Sequence, residues 1–408
     1  MTDEVFNNQF RLKKDIDRCK KFKNLDNKLI IQPIQTINLP ASNGYNSSVQ
    51  KKNLQTQIRD MNMLPCSLNI PGTSDIDLIQ NDKILKFPIF SISKVKSRFE
   101  KEKIELLDIM MYANGVRLYK AKQYDNLLVV KTCELDNMTI AEKYFQTRDY
   151  HFRFLLRHKR IIRTFHLAMF HNIIYSIMEF AQKGSLDDIL HNYGPMSENY
   201  SVLIFYEICK ALEYIHKKNI AHRNVKTDNI LFTHKNIPKL TDFKYCIEFD
   251  GSELLNTFVG NAQYLAPEVL AEQPYNPFPA DVWALGVCLF LMINDSPPFK
   301  PCGNNLMLIE EQKNRRLRFK RIIENDISKG CKELLLKILD PNLETRLTIK
   351  KLKVECYINS IVKMFVDQEK ARRGLKPVSE VEEKNSEYGT WYDLTSVTTQ
   401  FRTNNDNH

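Results

Sequence analysis

Short apolar runs separated by turn-prone residues begin about a quarter of the way along the chain. Three of them, Ile104–Met111, Val116–Ala121 and Leu127–Thr132, have the length and composition of β-strands. A stretch with helical spacing of its apolar residues follows at Glu142–Arg157, and another strand-like run at Ile173–Glu179. This order predicts a small antiparallel β-sheet lobe, at residues 101–180, that carries one helix.

After Gly184 the pattern becomes mainly helical. Asn199–Lys218 repeats its apolar residues at helical spacing, whereas Val282–Ile293 is apolar almost throughout and is typical of a buried central helix. We therefore predict a large helical lobe at residues 184–362 and an α+β, bilobal fold class. Further helices are predicted at Leu306–Lys313, Lys332–Leu339 and Thr348–Met364.

Both ends of the chain lack this patterning. Residues 1–100 change from Lys/Arg/Asp clusters to an Asn/Gln/Ser-rich segment interrupted by prolines, which predicts a low-complexity, disordered extension. Short apolar pieces within it, such as Ile84–Phe90, could dock on a neighbouring surface. Residues 363–408 form a charged, turn-rich tail.

Composition narrows the function classes. The chain has 408 residues, 43% of them hydrophobic and 26% charged, and a net charge of +10. These values are ordinary for a globular protein; the scattered positive charge suits a solvated surface, with some attraction to acidic partners or anionic membranes. The sequence contains no basic helix with interleaved aromatic residues, so it does not predict nucleic-acid binding.

Cysteines and apolar segments indicate the compartment. The nine cysteines are far apart and include no C-x-x-C pair, which favours a reducing environment over a disulfide framework or a zinc site. The first residues are acidic and polar, unlike a signal peptide, and Val282–Ile293 is too short to span a bilayer. We predict a cytoplasmic or nuclear location without a transmembrane segment.

Two motifs carry the chemistry. His222-Arg-Asn-Val-Lys-Thr-Asp-Asn229 resembles the catalytic loop HRDxKxxN of protein kinases, and Asp242-Phe-Lys244 resembles their DFG turn. Two positions depart from the family: Asn224 stands at the catalytic Asp, and Lys244 stands at the Gly. Supporting matches are Leu128–Lys131, Ala266–Glu268 with Arg346 as its ion-pair partner, and Asp281–Gly286, where Asp281 would bind catalytic-loop N–H groups.

The resemblance covers about residues 104–360. Ile161–Phe165, Thr257–Gly260 and the helix before His222 are most similar to serine/threonine kinases of the calcium/calmodulin-kinase group, and within it to the testis-specific serine/threonine kinases. It implies the bilobal kinase fold, with ATP and Mg²⁺ as cofactors and proteins as partners.

Roles follow from the resemblance for the phosphate end of the site. Lys131 would contact the nucleotide phosphates, and Asp149 would be its carboxylate partner, with Glu142 as the less favoured substitute. Asn229 and Asp242 would hold the metal, because Mg²⁺ prefers oxygen ligands. Lys226 would support the transferred phosphate. Asn224 can accept a hydrogen bond but is not a useful base, and Lys244 could replace a metal ion or repel it.

The adenine end is altered as well. Ile177–Ala181 resembles the hinge strand, which makes Met178 the residue that guards the back pocket and Glu179 and Ala181 adenine contacts, with Val116 and Val129 against the ring. Ser185 falls on the acidic ribose contact. The three glycines of the phosphate lid fall on Ile109, Met111 and Asn114, which restrict backbone approach to phosphates.

Two further positions concern regulation. Thr257 would be the phosphorylatable residue of the activation segment, and Arg223 the electrostatic partner of its phosphate.

Arg153 falls where the family stacks an apolar side chain against Phe243 and His222, and we expect it to weaken the inward position of its helix.

Three interpretations remain open on these residues. The first is a catalytically impaired pseudokinase with a regulatory or scaffolding role, whose nucleotide binding is weak or lost. The second is a low-activity ATP-dependent serine/threonine kinase that uses Lys131, Asn229 and Asp242. The third makes the extension at residues 1–100 the functional part, docking a partner or a membrane.

Overall fold

The structure is a computed structural model that describes residues 103–113, 115–136, 138–170, 173–299 and 305–372. The predicted extension at residues 1–100 and the tail beyond residue 372 lie outside the described residues. The α+β, bilobal fold class is confirmed: a five-stranded antiparallel sheet precedes a mainly helical part.

The small lobe is one antiparallel sheet with a single long helix. The strands lie in the order β1-β2-β3-β5-β4, and helix α1 follows β3. Thr139 caps this helix together with Glu142, a T-x-x-E signal that moves its start two residues before the predicted one. The bounds are β1 Ile104–Ala113, β2 Val116–Gln123, β3 Asn126–Glu134, α1 Ile140–Leu155, β4 Thr164–Phe170 and β5 Ile173–Glu179.

Strand β4 was not predicted from the sequence. It is an edge strand that pairs only with β5, and its register with that strand shifts between Thr164 and His166. Because an edge strand with a polar His166 among its apolar residues alternates poorly, the period-2 pattern that marks the other strands is weak here.

The large lobe is built from nine α-helices and two small two-stranded sheets within the described residues. The helices are α2 Leu186–Tyr193, α3 Glu198–His216, α4 Pro267–Leu270, α5 Pro277–Asn294, α6 Asn305–Lys313, α7 Arg321–Glu324, α8 Lys329–Ile338, α9 Ile349–Leu352 and α10 Cys356–Arg372. Strands β6 Ile220–Ala221 and β9 Ile247–Glu248 pair with each other, as do β7 Ile230–Phe232 and β8 Pro238–Leu240.

Helix α5 is the centre of the large lobe. Asn276 caps its start by accepting the N–H of Phe278, and nearly every side chain from Asp281 to Asn294 is buried. By length and composition this helix could cross a membrane, but 83% of it is buried inside the domain. A helix that is apolar all round belongs in a core, and α5 packs there against α3.

The predicted single helix Thr348–Met364 is wrong, because the chain forms two helices there. Helix α9 ends at Leu352, and a turn follows in which the N–H of Val354 bonds to the carbonyl of Lys351. The Glu355 carboxylate then accepts the N–H of Tyr357 and starts α10, which continues to Arg372, past residue 362. Since Glu is not a typical helix-capping residue, the sequence carried no sign of this break.

A buried ion pair ties α4 to the loop before α9. Arg346 is 2% exposed and donates to both carboxylate oxygens of Glu268, at 2.6 and 2.9 Å. Its guanidinium also lies 4.9 Å from the ring centre of Trp283 in α5 and donates through Nε to the carbonyl of Asp340. The pair predicted from the motif therefore joins three parts of the large lobe.

We expect Arg346→Met to lower the free energy of unfolding by about 3–5 kcal/mol, because the Glu268 carboxylate loses its partner in a largely buried place. Arg318→Ala is the matched control: Arg318 also binds a carboxylate through two nitrogens, but its side chain is 44% exposed, so a loss of at most ~1 kcal/mol is expected. Urea unfolding of both variants measures the difference. Equal losses would contradict the stabilising role of the buried pair.

Candidate functional site

Asp149 is the residue on which the two lobes converge. It lies on α1 with no solvent exposure, and its carboxylate accepts the Lys131 ammonium at 2.8 Å and the Arg153 guanidinium at 2.8 Å. The same carboxylate accepts the backbone N–H of Phe243 at 2.8 Å. One side chain thus connects strand β3, helix α1 and the turn that follows β8.

The charge state of Asp149 follows from these neighbours. Burial alone would raise the pKa of Asp149, but the positive charges of Arg153 and Lys131 together lower it well below its usual value. The carboxylate is therefore ionised throughout the neutral range. Although Asp is one methylene shorter than the family's Glu, the ion pair with Lys131 forms, with α1 in the inward position.

Arg153 occupies the expected position but does not weaken the helix. Its guanidinium lies 5.8 Å from the ring centre of Phe243, where the family has an apolar side chain. It also donates to the Thr241 hydroxyl at 3.1 Å and contacts the Met178 sulfur at 3.4 Å. Because Asp149 neutralises its charge and Thr241 accepts a bond from it, Arg153 holds α1 against the large lobe, contrary to our expectation.

Lys131 is placed by the sheet. It is paired with Leu118 on β2 and Ser176 on β5, and its ammonium lies 5.0 Å from the ring centre of Tyr150. Gln146, one turn before Tyr150 on α1, adds a weaker contact at 3.4 Å. Glu142, the substitute partner, is used instead in the cap at Thr139.

The catalytic-loop backbone is held by Asp281. Its carboxylate accepts the N–H groups of His222 and Arg223, at 2.8 and 2.7 Å, and lies 2.9 Å from Nε2 of His216. The expected bonding to the loop is therefore present. Arg223 adopts a left-handed backbone with a φ of 59°, a conformation that costs free energy in a non-glycine residue and is fixed here by these bonds.

Asn224 faces the metal-binding position rather than open space. Its side-chain Nδ2 donates to Oδ2 of Asp242 at 2.8 Å, and the ammonium of Lys244 lies 3.5 Å from the same oxygen. Burial alone would lower the pKa of Lys244, but the charge of Asp242 raises it above its usual value. Lys244 is thus a fixed cation beside the carboxylate.

The remaining catalytic-loop residues are also engaged. Asn229 donates through Nδ2 to the carbonyl of Asn224 at 2.8 Å, and its own carbonyl accepts the N–H of Thr241. The ammonium of Lys226 lies 3.2 Å from Asp228. The structure therefore brings Asn224, Asn229, Asp242 and Lys244 together, with Lys226 directed to a neighbouring carboxylate.

This donor set disfavours Mg²⁺. A kinase-type metal site uses oxygen atoms of the carboxylate and the amide. Here Oδ2 of Asp242 already accepts the Asn224 amide and faces the Lys244 ammonium, which occupies space and repels a divalent cation. No group of three His, Cys, Asp or Glu side chains suited to a metal occurs among the described residues.

The predicted adenine contacts form an apolar cluster. Val129, Ile162, Met178 and Ala181 pack together and are bordered by Leu118 and Leu231. Val116 belongs to a neighbouring cluster with Cys133 and Tyr150. The Glu179 carboxylate binds Lys239 at 2.8 Å, and the backbone N–H of Glu179 donates to the carbonyl of Arg163 at 2.9 Å.

Ser185 and the lid differ most from the family pattern. Ser185 caps helix α2 and exchanges hydrogen bonds with Asp188, so its hydroxyl is committed to the fold. In place of a glycine-rich lid, β1 and β2 form a hairpin whose residues Ile109 and Met111 are 62% and 44% exposed. Asn114 lies outside the described residues.

The activation segment is anchored by two arginines. Arg223 donates to the Thr257 hydroxyl at 2.7 Å and to the carbonyl of Tyr245 at 2.7 Å, so the predicted regulatory pair is in contact. Arg148 on α1 donates twice to the carbonyl of Cys246, at 2.9 and 2.6 Å. Sequence reasoning missed Arg148; its position next to Asp149 was the only available signal.

We expect Asp149→Asn to lower the free energy of unfolding at neutral pH by about 3–5 kcal/mol, because two cations lose their counter-charge. The folded-state pKa of Asp149 is lowered, so its contribution is complete above its unfolded pKa of about 3.9 and is lost as the pH falls below that value. The gap between wild type and variant should therefore narrow on acidification below about pH 4.

Urea unfolding from pH 7 to pH 3 measures this gap. Glu142→Gln is the control, since it changes a carboxylate of the same helix but keeps the cap at Thr139; a loss below ~0.5 kcal/mol is expected. A gap that stays constant with pH would show that Asp149 does not act through its charge.

Comparison with known proteins agrees with this geometry. The sequence profile of the protein kinase domain matches residues 113–358. The mouse protein "Testis-specific serine/threonine-protein kinase 1" is 30% identical over 220 residues, which are 52% of this chain and 60% of that protein. The Arabidopsis thaliana "CBL-interacting serine/threonine-protein kinase 26" is 30% identical over 243 residues, 57% of this chain and 53% of that protein.

The matched part thus spans less than two thirds of either relative. The profile covers more than half of the present chain, and its bounds enclose Lys131, Asp149, the catalytic loop and Arg346. The resemblance to serine/threonine kinases, the testis-specific kinases included, is confirmed. The chain belongs to the protein kinase domain family.

Proposed function

We propose that this protein is a pseudokinase that regulates or scaffolds phosphorylation signalling. The single observation that carries the proposal is the contact of Asn224 and Lys244 with the same oxygen of Asp242. In an active kinase that oxygen would face a metal ion, and the side chain at position 224 would be a carboxylate. The metal position and the catalytic carboxylate, which phosphoryl transfer both requires, are therefore changed at the same carboxylate oxygen.

The loss of the catalytic carboxylate weakens transfer directly. A carboxamide cannot take the proton of an attacking hydroxyl, and general-base assistance is worth roughly 10²–10⁴ in rate. The nearest carboxylate, Asp242, already accepts the Asn224 amide. No described residue supplies a free base in its place at this contact.

Nucleotide binding is retained in our proposal, in a weak form that does not need a metal. Phosphate oxygens require positive charge, and Lys131 and Lys244 both place an ammonium near the two carboxylates of the cleft. Val129, Met178 and Ala181 offer an apolar face for adenine. Lys244 takes the place of Mg²⁺ as the counter-charge of the phosphates.

The proposed regulatory role is supported by the contacts that stabilise the kinase fold. Asp281, the pair of Glu268 with Arg346, and the contacts of Asp149 keep the arrangement that an active kinase presents to other proteins. We propose that this surface binds a partner kinase or a substrate protein. We also propose the cytoplasm, or the nucleus, because the six described cysteines are free and five of them are buried thiols.

A low-activity kinase is the second candidate. The retention of Lys131, Asn229 and Asp242 at contact distance from their neighbours favours it. Incubation of the purified protein with radiolabelled ATP and a general protein substrate separates the two functions. We expect no transfer above background. Transfer that Asp242→Asn abolishes would overturn the pseudokinase proposal, whereas transfer insensitive to that change would come from a contaminant.

We expect ATP to raise the melting temperature equally with Mg²⁺ and with EDTA. At ten times the dissociation constant, binding adds about 1.4 kcal/mol, which corresponds to roughly 3–6 °C. In Lys244→Gly the shift should require Mg²⁺, because the built-in cation is gone. Lys244→Arg is the control and should remain independent of metal. No shift of the wild type at millimolar ATP would contradict nucleotide binding.

We expect Asn224→Asp to lower the melting temperature in EDTA, because two carboxylates would face each other at a contact that is now 2.8 Å long. The loss should be about 1–3 kcal/mol, and Mg²⁺ should recover part of it. Asn359→Asp, an exposed change on α10, should have neither effect. Scanning fluorimetry with and without Mg²⁺ tests this; an unchanged melting temperature in EDTA would show that Asp242 does not sense position 224.

A further inference from the structure

Strand β1 carries a surface that the rest of the described fold does not cover. Its register with β2 pairs Ile109 with Tyr119 and Tyr112 with Arg117, so these side chains share one face of the sheet, whereas Met111 pairs with Leu118 and lies on the opposite face. We call Ile109 and Tyr112, exposed to 62% and 61%, the β1 patch. Large apolar side chains exposed together on one face mark a binding surface or an aggregation risk.

Strand β1 also lies at the edge of the sheet, where an exposed strand needs protection against pairing with other chains. Among the residues that the structure describes, it is the outer strand of the sheet, and β2 is its one neighbour. Proteins protect outer strands with charges, prolines, bulges or a covering segment. Between Leu107 and Tyr112 only Asp108 is charged. Two register shifts in its pairing with β2 protect the edge of this strand, but they leave the apolar side chains on its face exposed.

The patch continues an apolar cluster inside the small lobe. Ile109 lies across from Tyr119 on β2. Tyr119, Leu106 and Phe165 are partly buried and border the cluster formed by Ala121, Leu128, Val130 and neighbouring residues. A side chain seated on Ile109 would thus extend an existing core rather than begin a new one.

The shape of β1 favours packing on its face over pairing along its edge. Its register with β2 shifts twice, between Leu106 and Ile109 and between Ile109 and Met111. Such irregularities bend a strand and interrupt the ladder of hydrogen bonds that another strand would need. A second copy of the chain, pairing strand to strand, fits this edge poorly.

We propose that the segment Ile84–Phe90 of the same chain docks on the β1 patch. The segment contains five apolar residues, Ile84, Leu85, Phe87, Ile89 and Phe90, together with Lys86 and Pro88. Pro88 lacks a backbone N–H and suits packing through side chains better than strand pairing. Lys86 is a positive charge that can stay in water or approach Asp108.

The tether to β1 is long enough for this contact. Residues 91–103 join the segment to the first residue of β1 and would span about 45 Å if fully extended. Ile109 lies about 17 Å along the strand from Ile104 at a rise of ~3.4 Å per residue. The connection is also short enough to keep the segment at a high effective concentration near the patch.

Hydroxyl-radical footprinting of the full-length protein, read by mass spectrometry, tests the docking, because it reports the exposure of side chains. We expect Phe87 and Phe90 to be oxidised at least ~10-fold more slowly than in a free peptide of residues 84–90. In Ile109→Asp this protection should disappear, because a charge sits at the centre of the patch. In Phe87→Asp with Phe90→Asp, Ile109 and Tyr112 should be oxidised faster than in the wild type.

The matched control is Phe6→Asp with Phe10→Asp, which puts the same charges elsewhere in the N-terminal part and should leave both regions unchanged. An unchanged melting temperature of the large lobe shows that each variant is folded. Oxidation of Phe87 and Phe90 in the wild type at the rate of the free peptide would overturn the proposal. Protection that depends on protein concentration, with a dimeric mass in light scattering, would assign the patch to a second copy instead and would equally overturn it.

Discussion

The Asp149 carboxylate is the contact on which the arrangement of this domain depends. It receives an ammonium from the sheet, a guanidinium from its own helix and a backbone N–H from the turn after Asp242, all without solvent. Such a group is stable only when its partners neutralise it, so the sheet, the helix and the large lobe are held in one relative position. In the kinase family, an apolar side chain at the position of Arg153 helps to hold the helix against the large lobe. Here the charge of Arg153 holds the helix instead, and Arg148 adds a second link by donating to the carbonyl of Cys246.

The substitutions lie at the cleft, whereas the kinase motifs that hold the large lobe together are retained. Asp281 organises the catalytic loop, and Arg346 with Glu268 joins the helices of the large lobe, as a catalytic domain would require. Asn224, Lys244, Ser185 and the residues of the β1–β2 hairpin differ from the family where nucleotide, metal or substrate would be touched. The large lobe is held together by interactions that involve none of these residues, whereas the Lys131–Asp149 pair belongs both to the scaffold and to the cleft.

The sequence predicted the fold class, four of the five strands and the central helix α5, because their periodicity and apolar content are strong. It also predicted that Asp281, Glu268 and Arg346 would find their partners, since motif spacing places them. It missed β4, whose alternation is weak at a sheet edge, and the break before α10, where Glu355 does the work of a capping residue. The role of Arg153 could not be predicted, because its effect depends on whether Asp149 can share its charge between two cations. Arg148 carries no motif at all.

The pair of substitutions at Asn224 and Lys244 has a consequence in terms of charge. Replacing a carboxylate by an amide adds one positive unit to the cleft, and replacing a glycine by a lysine adds another. Their sum equals the charge of one Mg²⁺ ion: one unit is the ammonium of the Lys244 side chain, and the other is the negative charge that Asn224 lacks. Under the proposed metal-free binding of nucleotide, chelators and changes in cellular magnesium would not remove this counter-charge, because it is part of the chain. Occupancy of the cleft would then follow the nucleotide concentration alone.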